Sequence, residues 1–172
     1  MNNHRTFNLI DKKRALERII YEKTKTQFNN KKHLPQNLIY PIKIDINTSD
    51  LQILEECRNT IEKAGYQFKK ISNYTIEISS TPNGISSNEI QDLFEFFIEE
   101  FKKGNEDINE KIMEKTIIKI TYNEYKKSQS IKSMNNNELK SIITMLLNCK
   151  TPFIGINGQP CVINIEPNIF FN

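Results

Sequence analysis

The sequence has few of the residues that build disulfide frameworks or zinc sites. Its three cysteines, Cys57, Cys149 and Cys161, are odd in number and far apart, which fits neither a disulfide framework nor a pair of zinc ligands. Its two histidines, His4 and His33, lie in polar segments without a neighbouring ligand, so both are expected on the surface. This cysteine usage is typical of a protein in the reducing cytoplasm.

Long apolar runs and strong charge are also missing. No stretch approaches the roughly 18 consecutive apolar residues that a membrane span needs, and the first residues lack the regions of a secretory signal. A cytoplasmic protein without membrane contact is therefore expected. The net charge of +3 permits nucleic-acid binding without indicating it. No glycine motif for phosphate binding is present, so the chain is not expected to hydrolyse ATP.

What the 172 residues do contain is a mixed order of helical and strand patterns. Apolar residues at helical spacing or in alternation occur without regular βαβ repetition, so the predicted fold class is α+β. The predicted elements are, in order, strand 7–10, helix 12–25, linker 26–35, strand 38–46, helix 49–64, hairpin strands 66–71 and 74–80, helices 86–103, 106–125 and 135–148, and strand 161–165.

Local signals set several of these boundaries. Asp11 suits an N-cap position because its carboxylate can accept hydrogen bonds from the free amides of the first turn. Pro41 predicts an edge position for strand 38–46, since proline cannot donate to a neighbouring strand. Two residue pairs match the capping-box pattern, Ser49 with Gln52 and Ser86 with Glu89. Five residues of helix 135–148 are expected to face inward: Leu139, Ile142, Ile143, Leu146 and Leu147.

Three segments, in this order, resemble the C-terminal domain of MutL DNA mismatch-repair proteins. Residues 10–22 read IDKKRALERIIYE and resemble the family motif D-Q-H-A-x-x-E-R-I-x-Y-E. Residues 36–41 read QNLIYP and resemble the peptide by which MutL proteins engage the replication sliding clamp. Residues 135–163 resemble the final helix, loop and strand of the family, with Pro152, Phe153, Gly158 and Pro160 retained. The resemblance covers nearly the whole chain.

The same motifs build a site for zinc and a catalytic divalent metal in family members that nick DNA. A helix places positions i and i+4 on one face, so a histidine and a glutamate at that spacing can chelate one ion. Here the histidine position holds Lys13, and the cysteine and histidine of the last loop fall on Gly155 and Asn157. The remaining family cysteine aligns near Glu124. The resemblance therefore implies a degenerate metal site that does not bind zinc.

Three acidic residues of the first motif survive, Asp11, Glu17 and Glu22. As remnants of a catalytic site they are expected to be inactive and to serve as a cap, an ion pair or solvent-facing groups. Lys13 is spaced i, i+4 from Glu17, so its ammonium is expected to take the charge role of the metal. The three cations at 12–14 oppose the helix dipole, which predicts a partner for them, either these carboxylates or DNA phosphate.

The resemblance implies a clamp-binding role for Gln36, Leu38, Ile39 and Pro41. Leu38 and Ile39 would enter an apolar pocket of the clamp while Gln36 supplies orienting polar contacts. The alternative for these residues is an ordinary edge strand.

The implied architecture is a two-lobed α+β fold with mixed or antiparallel sheets packed by helices. A dimerisation lobe is expected to combine residues 1–33 with 106–172. Its last helices and closing strand are expected to be more exposed in a monomer than in a dimer. Residues 34–105 are expected to form a clamp-binding lobe. The family has strands before residue 7, so the chain is expected to be a piece of a longer protein, a split gene product or a reduced form.

The implied function is a mismatch-repair scaffold that forms a homodimer and binds the sliding clamp. It would reach the mismatch-recognition protein and DNA through the full repair complex. No cofactor is expected, and magnesium or manganese enters only under the alternative of a DNA-nicking endonuclease that uses the three surviving carboxylates. A generic α+β adaptor without a repair role is the other alternative. The resemblance requires that the corner between strand 7–10 and helix 12–25, at residue 11, lies beside the glycine–proline bend at 155–160. A structure that holds these two parts far apart would contradict the resemblance and the implied function.

Overall fold

The computed structural model describes residues 7–30, 32, 35–104, 107–128 and 135–165. The predictions for His4 and His33 and the expected helix start at 106 lie outside the described residues. The helices and strands are, in chain order, β1 (Phe7–Ile10), α1 (Lys12–Asn29), β2 (Pro35–Asp45), α2 (Thr48–Glu56), α3 (Arg58–Lys63), β3 (Gln67–Ser72), β4 (Thr75–Pro82), α4 (Ile90–Lys102), α5 (Ile108–Ser128), α6 (Asn136–Leu147) and β5 (Val162–Ile165). Helices and antiparallel sheets occur together, which confirms the α+β class.

The chain divides into two compact units. Unit 1 comprises Met1–Lys23 and Tyr125–Asn172, and unit 2 comprises Thr24–Glu124. These divisions fall within α1 and α5, whereas the expected lobes changed over at residues 33 and 105. Among the described residues, no helix combines the length and the apolar character that crossing a membrane requires.

Unit 1 is built on a two-stranded antiparallel sheet. β1 pairs with β5 so that Ile10 lies opposite Val162. These two residues pack against a small core of Ala15, Ile142 and Leu146, which joins the start of α1 to α6. The first and last described elements of the chain therefore share one core.

Unit 2 contains a three-stranded antiparallel sheet with the order β2-β4-β3. β2 lies at the edge, as Pro41 predicts, and the β3–β4 hairpin forms as expected. The core holds an aromatic group in which the Tyr66 ring meets Phe94 and Phe97 edge-on, with ring centroids 5.8 and 5.4 Å apart. This edge-to-face arrangement is favourable beyond the area it buries.

Three predictions about the helices of the first half of the chain are wrong. α1 continues to Asn29, so the first part of the expected linker 26–35 is helical. The side chains of Thr24 and Phe28, four residues apart, are both buried and continue the buried face of the helix. α2 is capped by Asn47, whose side-chain oxygen accepts the amide of Asp50, and the expected box of Ser49 with Gln52 does not form the cap. The predicted helix 49–64 is also divided at Cys57 into α2 and α3.

The other capping signals are confirmed, and one prediction about α6 is wrong. Ser86 and Glu89 form the predicted capping box at the turn that precedes α4. Gly65, which follows α3, has a φ of 96°, a left-handed conformation that suits glycine. Of the five α6 residues expected to face inward, only Ile142 and Leu146 are buried. The other three are exposed: Leu139, Ile143 and Leu147.

Candidate functional site

The corner between β1 and α1 lies beside the glycine–proline bend near the end of the chain, as the sequence predicts. The backbone N–H of Asp11 donates to the carbonyl of Cys161 at 2.9 Å. The Arg14 guanidinium donates to the carbonyl of Pro160 at 3.0 Å. Residues from the first and third family-like segments therefore form one site within unit 1.

Asp11 acts as the N-cap of α1. Its Oδ1 accepts the backbone N–H of Arg14 at 3.0 Å, and its backbone carbonyl accepts the N–H of Ala15 at 2.9 Å. The Arg14 Nε lies 3.4 Å from the other carboxylate oxygen. Both carboxylate oxygens of Asp11 thus have partners within the first turn of its own helix.

Glu17 is the most buried charged group of the site. Only 5% of its side chain is exposed, and its Oε1 has no hydrogen-bond partner. The Lys13 Nζ lies 3.9 Å from Oε1, which is close enough for electrostatic attraction and too long for a hydrogen bond. Burial raises the pKa of Glu17 and the charge of Asp11 adds to this, while Lys13 and Arg14 act in the opposite direction. The expected pair with Lys13 is present, but its carboxylate is buried and does not lie on the helix surface.

Glu22 binds backbone amides just beyond α6. Its carboxylate accepts the N–H groups of Lys150 at 2.7 Å and Thr151 at 3.1 Å. The Arg18 Nη1 lies 3.8 Å from the same carboxylate. A metal at Glu22 would have to displace these amide contacts, so its observed role is to hold the chain after α6.

The loop positions that would carry soft metal ligands contain no such group. Gly155 donates its N–H to the carbonyl of Gln159 at 2.7 Å. A Cβ added to Gly155 would lie 3.0 Å from that carbonyl oxygen and 3.5 Å from the Cβ of Arg14. The side-chain oxygen of Asn157 accepts the N–H of Gln159 at 3.3 Å and stays within the turn. The loop is closed around Gly155 and leaves little room for a larger side chain.

Cations from α1 occupy the space between the helix and this loop. Arg14 reaches the carbonyl of Pro160, and the Arg18 Nε donates to the carbonyl of Ile154 at 2.7 Å. Sequence reasoning missed the role of both arginines, although Arg18 belongs to a retained family motif. The Arg14 guanidinium and the Lys13 ammonium repel a metal ion, and they offer it no lone pair. Nowhere in the described part of the chain do three or more His, Cys, Asp or Glu side chains form a group that could hold a metal. The residues present therefore do not fit a zinc or two-metal site.

The residues with a predicted clamp-binding role lie on β2 in unit 2. Asn37 pairs with Ser80 and Ile42 pairs with Ile78, so residues 38–41 oppose Ser79 alone and bulge out of the sheet. Ile39 is 89% exposed at this bulge. Leu38 is half-buried and packs against the unit 2 core, so it is less available than expected for insertion into a partner. Gln36 and Pro41 are exposed.

Unit 1 also carries a large amount of exposed apolar surface. On the β1–β5 sheet, Phe7, Leu9 and Ile163 share the face opposite to Ile10 and Val162, and all three are exposed. We call these residues the apolar sheet face.

On α6, the exposed residues Leu139, Ile143 and Leu147 follow one another at intervals of four and form one stripe. We call these residues the α6 stripe. Phe153 and Ile154 are exposed on the following loop.

Comparison with known proteins shows which family the chain resembles. A family model described as the MutL C terminal dimerisation domain matches residues 1–131. The chain is 29% identical over 147 residues to a DNA mismatch repair protein MutL of Christiangramia forsetii, which covers 84% of the chain and 23% of that relative. It is 27% identical over 163 residues to a MutL of Thermoanaerobacter sp. (strain X514), covering 92% of the chain and 25% of the relative. The chain thus spans about a quarter of the length of these relatives. It belongs to the family of MutL C-terminal dimerisation domains.

Proposed function

We propose that this chain joins two copies of a MutL protein by self-association through unit 1. The observation that carries the proposal is the exposed apolar surface formed by the sheet face, the α6 stripe and the 153–154 loop. Exposed apolar patches of this kind mark association sites on proteins that are otherwise polar. We propose a second copy of the chain as the partner because the matching family model is described as a dimerisation domain.

The β1–β5 sheet supports the same proposal by its size. A two-stranded sheet is marginally stable in water unless other groups cover it. In unit 1 the core covers the face with Ile10 and Val162, while Phe7, Leu9 and Ile163 remain exposed. A symmetric dimer would cover this second face in each copy with the same patch of its partner.

Co-purification of two differently tagged copies tests self-association. Both copies would be expressed together, one tag captured, and the second tag detected. We expect the wild-type copies to co-purify and Ile163→Ser in both copies to reduce the recovery strongly. Ile71→Ser is the matched control, because Ile71 lies on the sheet of unit 2 and both isoleucines are 47% exposed. Recovery that is unchanged by Ile163→Ser but lost with Ile71→Ser would place the interface outside unit 1.

We also propose that the bulge at residues 38–41 of unit 2 binds the replication sliding clamp. Support comes from the match of QNLIYP to the clamp-binding peptide and from the exposure of Ile39 and Tyr40 at an edge strand. An apolar side chain that protrudes from an irregular edge can enter a partner's pocket while the sheet stays intact. Through such contacts the chain would act in mismatch repair together with the mismatch-recognition protein and DNA.

Pull-down with the sliding clamp of the same organism tests the bulge. Ile39→Ala is the informative change because Ile39 is almost fully exposed and does not contribute to the core. We expect it to abolish clamp retention, with Ile71→Ala on the same sheet as the control that retains it. Leu38→Ala is less informative, since Leu38 also packs against the core. Equal retention by wild type and Ile39→Ala would remove the proposed clamp contact.

We further propose that the chain does not nick DNA. The support is the donor set, because Lys13, Gly155 and Asn157 stand where the family motifs have histidine and cysteine ligands. Plasmid nicking with manganese is the test, with Asp11→Asn and Glu17→Gln as comparison variants. We expect no nicking from the wild type. Nicking that disappears in both variants would establish the endonuclease instead.

A further inference from the structure

Segment 150–154, which follows α6, is attached to α1 at both of its ends by two residues one helical turn apart. At the first end, Glu22 accepts the N–H groups of Lys150 and Thr151 at 2.7 and 3.1 Å. At the other end, Arg18 donates from Nε to the carbonyl of Ile154 at 2.7 Å. Three of these contacts bind the backbone, and the Thr151 hydroxyl adds a longer one to Glu22 at 3.4 Å. The path of the segment is therefore defined mainly through its backbone.

Arg18 and Glu22 are themselves held in place. The Arg18 Nη1 lies 3.8 Å from the Glu22 carboxylate, and 11% of the Arg18 side chain and 17% of the Glu22 side chain are exposed. The Arg18 guanidinium also lies over the ring of Tyr21, 5.3 Å from its centroid. Hydrogen bonds between charged groups and backbone are stronger than neutral ones, so this arrangement holds the segment firmly.

The segment displays apolar side chains from a fixed backbone. Phe153 and Ile154 are both more than half exposed, although the carbonyl of Phe153 accepts the N–H of Cys161 at 2.8 Å and Ile154 forms a bridge with Pro160. Ordering a loop during association weakens binding, whereas a loop that is already ordered avoids this loss. A fixed loop with exposed apolar groups is therefore suited to association and adds little to the core of its own unit.

We propose that Arg18 and Glu22 are positioning residues for self-association, which hold segment 150–154 so that Phe153 and Ile154 face the second copy. This rests on the proposed function of unit 1. Neither residue touches the partner in this account. They act through the backbone contacts at Lys150, Thr151 and Ile154.

Sedimentation equilibrium of full-chain variants tests the proposal. Arg18→Lys keeps the charge but loses the planar Nε donor, and Glu22→Gln keeps the shape but loses one acceptor oxygen and the charge. We expect each change to raise the dimer dissociation constant about ten-fold or more, since each weakens a charge-assisted hydrogen bond in both copies. Circular dichroism at the same concentrations would verify that the variants are folded. Arg58→Lys is the matched control, because Arg58 donates to the carbonyl of Phe68 at 2.7 Å in unit 2, and we expect it to leave the dissociation constant unchanged.

A double-mutant cycle with Phe153→Ala separates positioning from general stabilisation. If Arg18 acts by placing Phe153, then Arg18→Lys raises the dissociation constant much less in the Phe153→Ala background than in the wild type. Equal effects in both backgrounds, or wild-type dissociation constants for both Arg18→Lys and Glu22→Gln, would overturn the proposal and leave the proposed dimer intact. A monomeric wild type would instead refute the proposed function itself.

Discussion

The substitution Leu147→Ala in the α6 stripe should weaken self-association, and the exposed fraction of the Leu147 side chain gives the expected size of the effect. Leu147 is 57% exposed, and self-association through unit 1 would place this exposed part against the second copy. Leu→Ala removes about three carbon groups worth about 0.8 kcal/mol each when fully buried, so the exposed fraction corresponds to about 1.4 kcal/mol per copy. A symmetric interface contains the residue twice, which gives about 2.7 kcal/mol, or about 100-fold in the dissociation constant.

Sedimentation equilibrium over a range of protein concentrations measures this change. Met145→Ala is the matched control, because Met145 is also apolar and exposed but lies about 160° around the helix from the centre of the α6 stripe. We expect Met145→Ala to leave the dissociation constant within about two-fold of wild type, a difference of about 0.4 kcal/mol. If Leu147→Ala associates as tightly as the wild type while Met145→Ala does not, the assignment of the stripe to the interface is wrong.

Three further changes test the site around α1. Because the pKa of Glu17 is raised in the folded state, folding loses stability as pH rises from about 4.5, the ordinary value. Thermal unfolding should therefore show Glu17→Gln to be more stable than wild type near neutral pH by about 1 kcal/mol, with no such gain in acid. A less stable variant at neutral pH would show that the attraction of Lys13 outweighs the burial of the carboxylate. Gly155→Ala should lower the free energy of unfolding by about 1–3 kcal/mol, because the added Cβ would lie 3.0 Å from the Gln159 carbonyl oxygen. Unfolding in denaturant measures this change, and an unchanged midpoint concentration would mean that the loop relaxes freely. A metal chelator should leave the unfolding temperature unchanged, since Lys13, Gly155 and Asn157 stand where the family motifs have histidine and cysteine ligands. A marked decrease would show a structural metal.

Local signals in the sequence predicted most of the elements because they act over a few residues. The capping box of Ser86 with Glu89, the left-handed Gly65 and the β3–β4 hairpin all depend on neighbours in the chain. The prediction failed at α2 because two nearby residues can both accept helix amides, and Asn47 rather than Ser49 does so. Such competition depends on where the preceding strand ends, which the local pattern does not specify.

The candidate site was predictable in its location but not in its contacts. The order of the family-like segments predicted that Asp11 would lie near the last loop, and the bond to the Cys161 carbonyl confirms it. The bonds of Arg14 and Arg18 to loop carbonyls are different, because any residue type offers a backbone carbonyl and so leaves no pattern in the sequence. The resemblance predicted that the last helices would be more exposed in a monomer, but Leu139, Ile143 and Leu147 were expected to face inward and instead form the exposed α6 stripe. Helical spacing shows that a face is apolar, but it does not show whether the same chain or a second copy covers it.

The mass of the wild-type chain in solution, measured by light scattering across a dilution series, tests the central claim most directly. Self-association through unit 1 predicts a particle of twice the 20.2 kDa of one chain at the higher concentrations, with dissociation on dilution. A mass of one chain at every concentration would contradict the account.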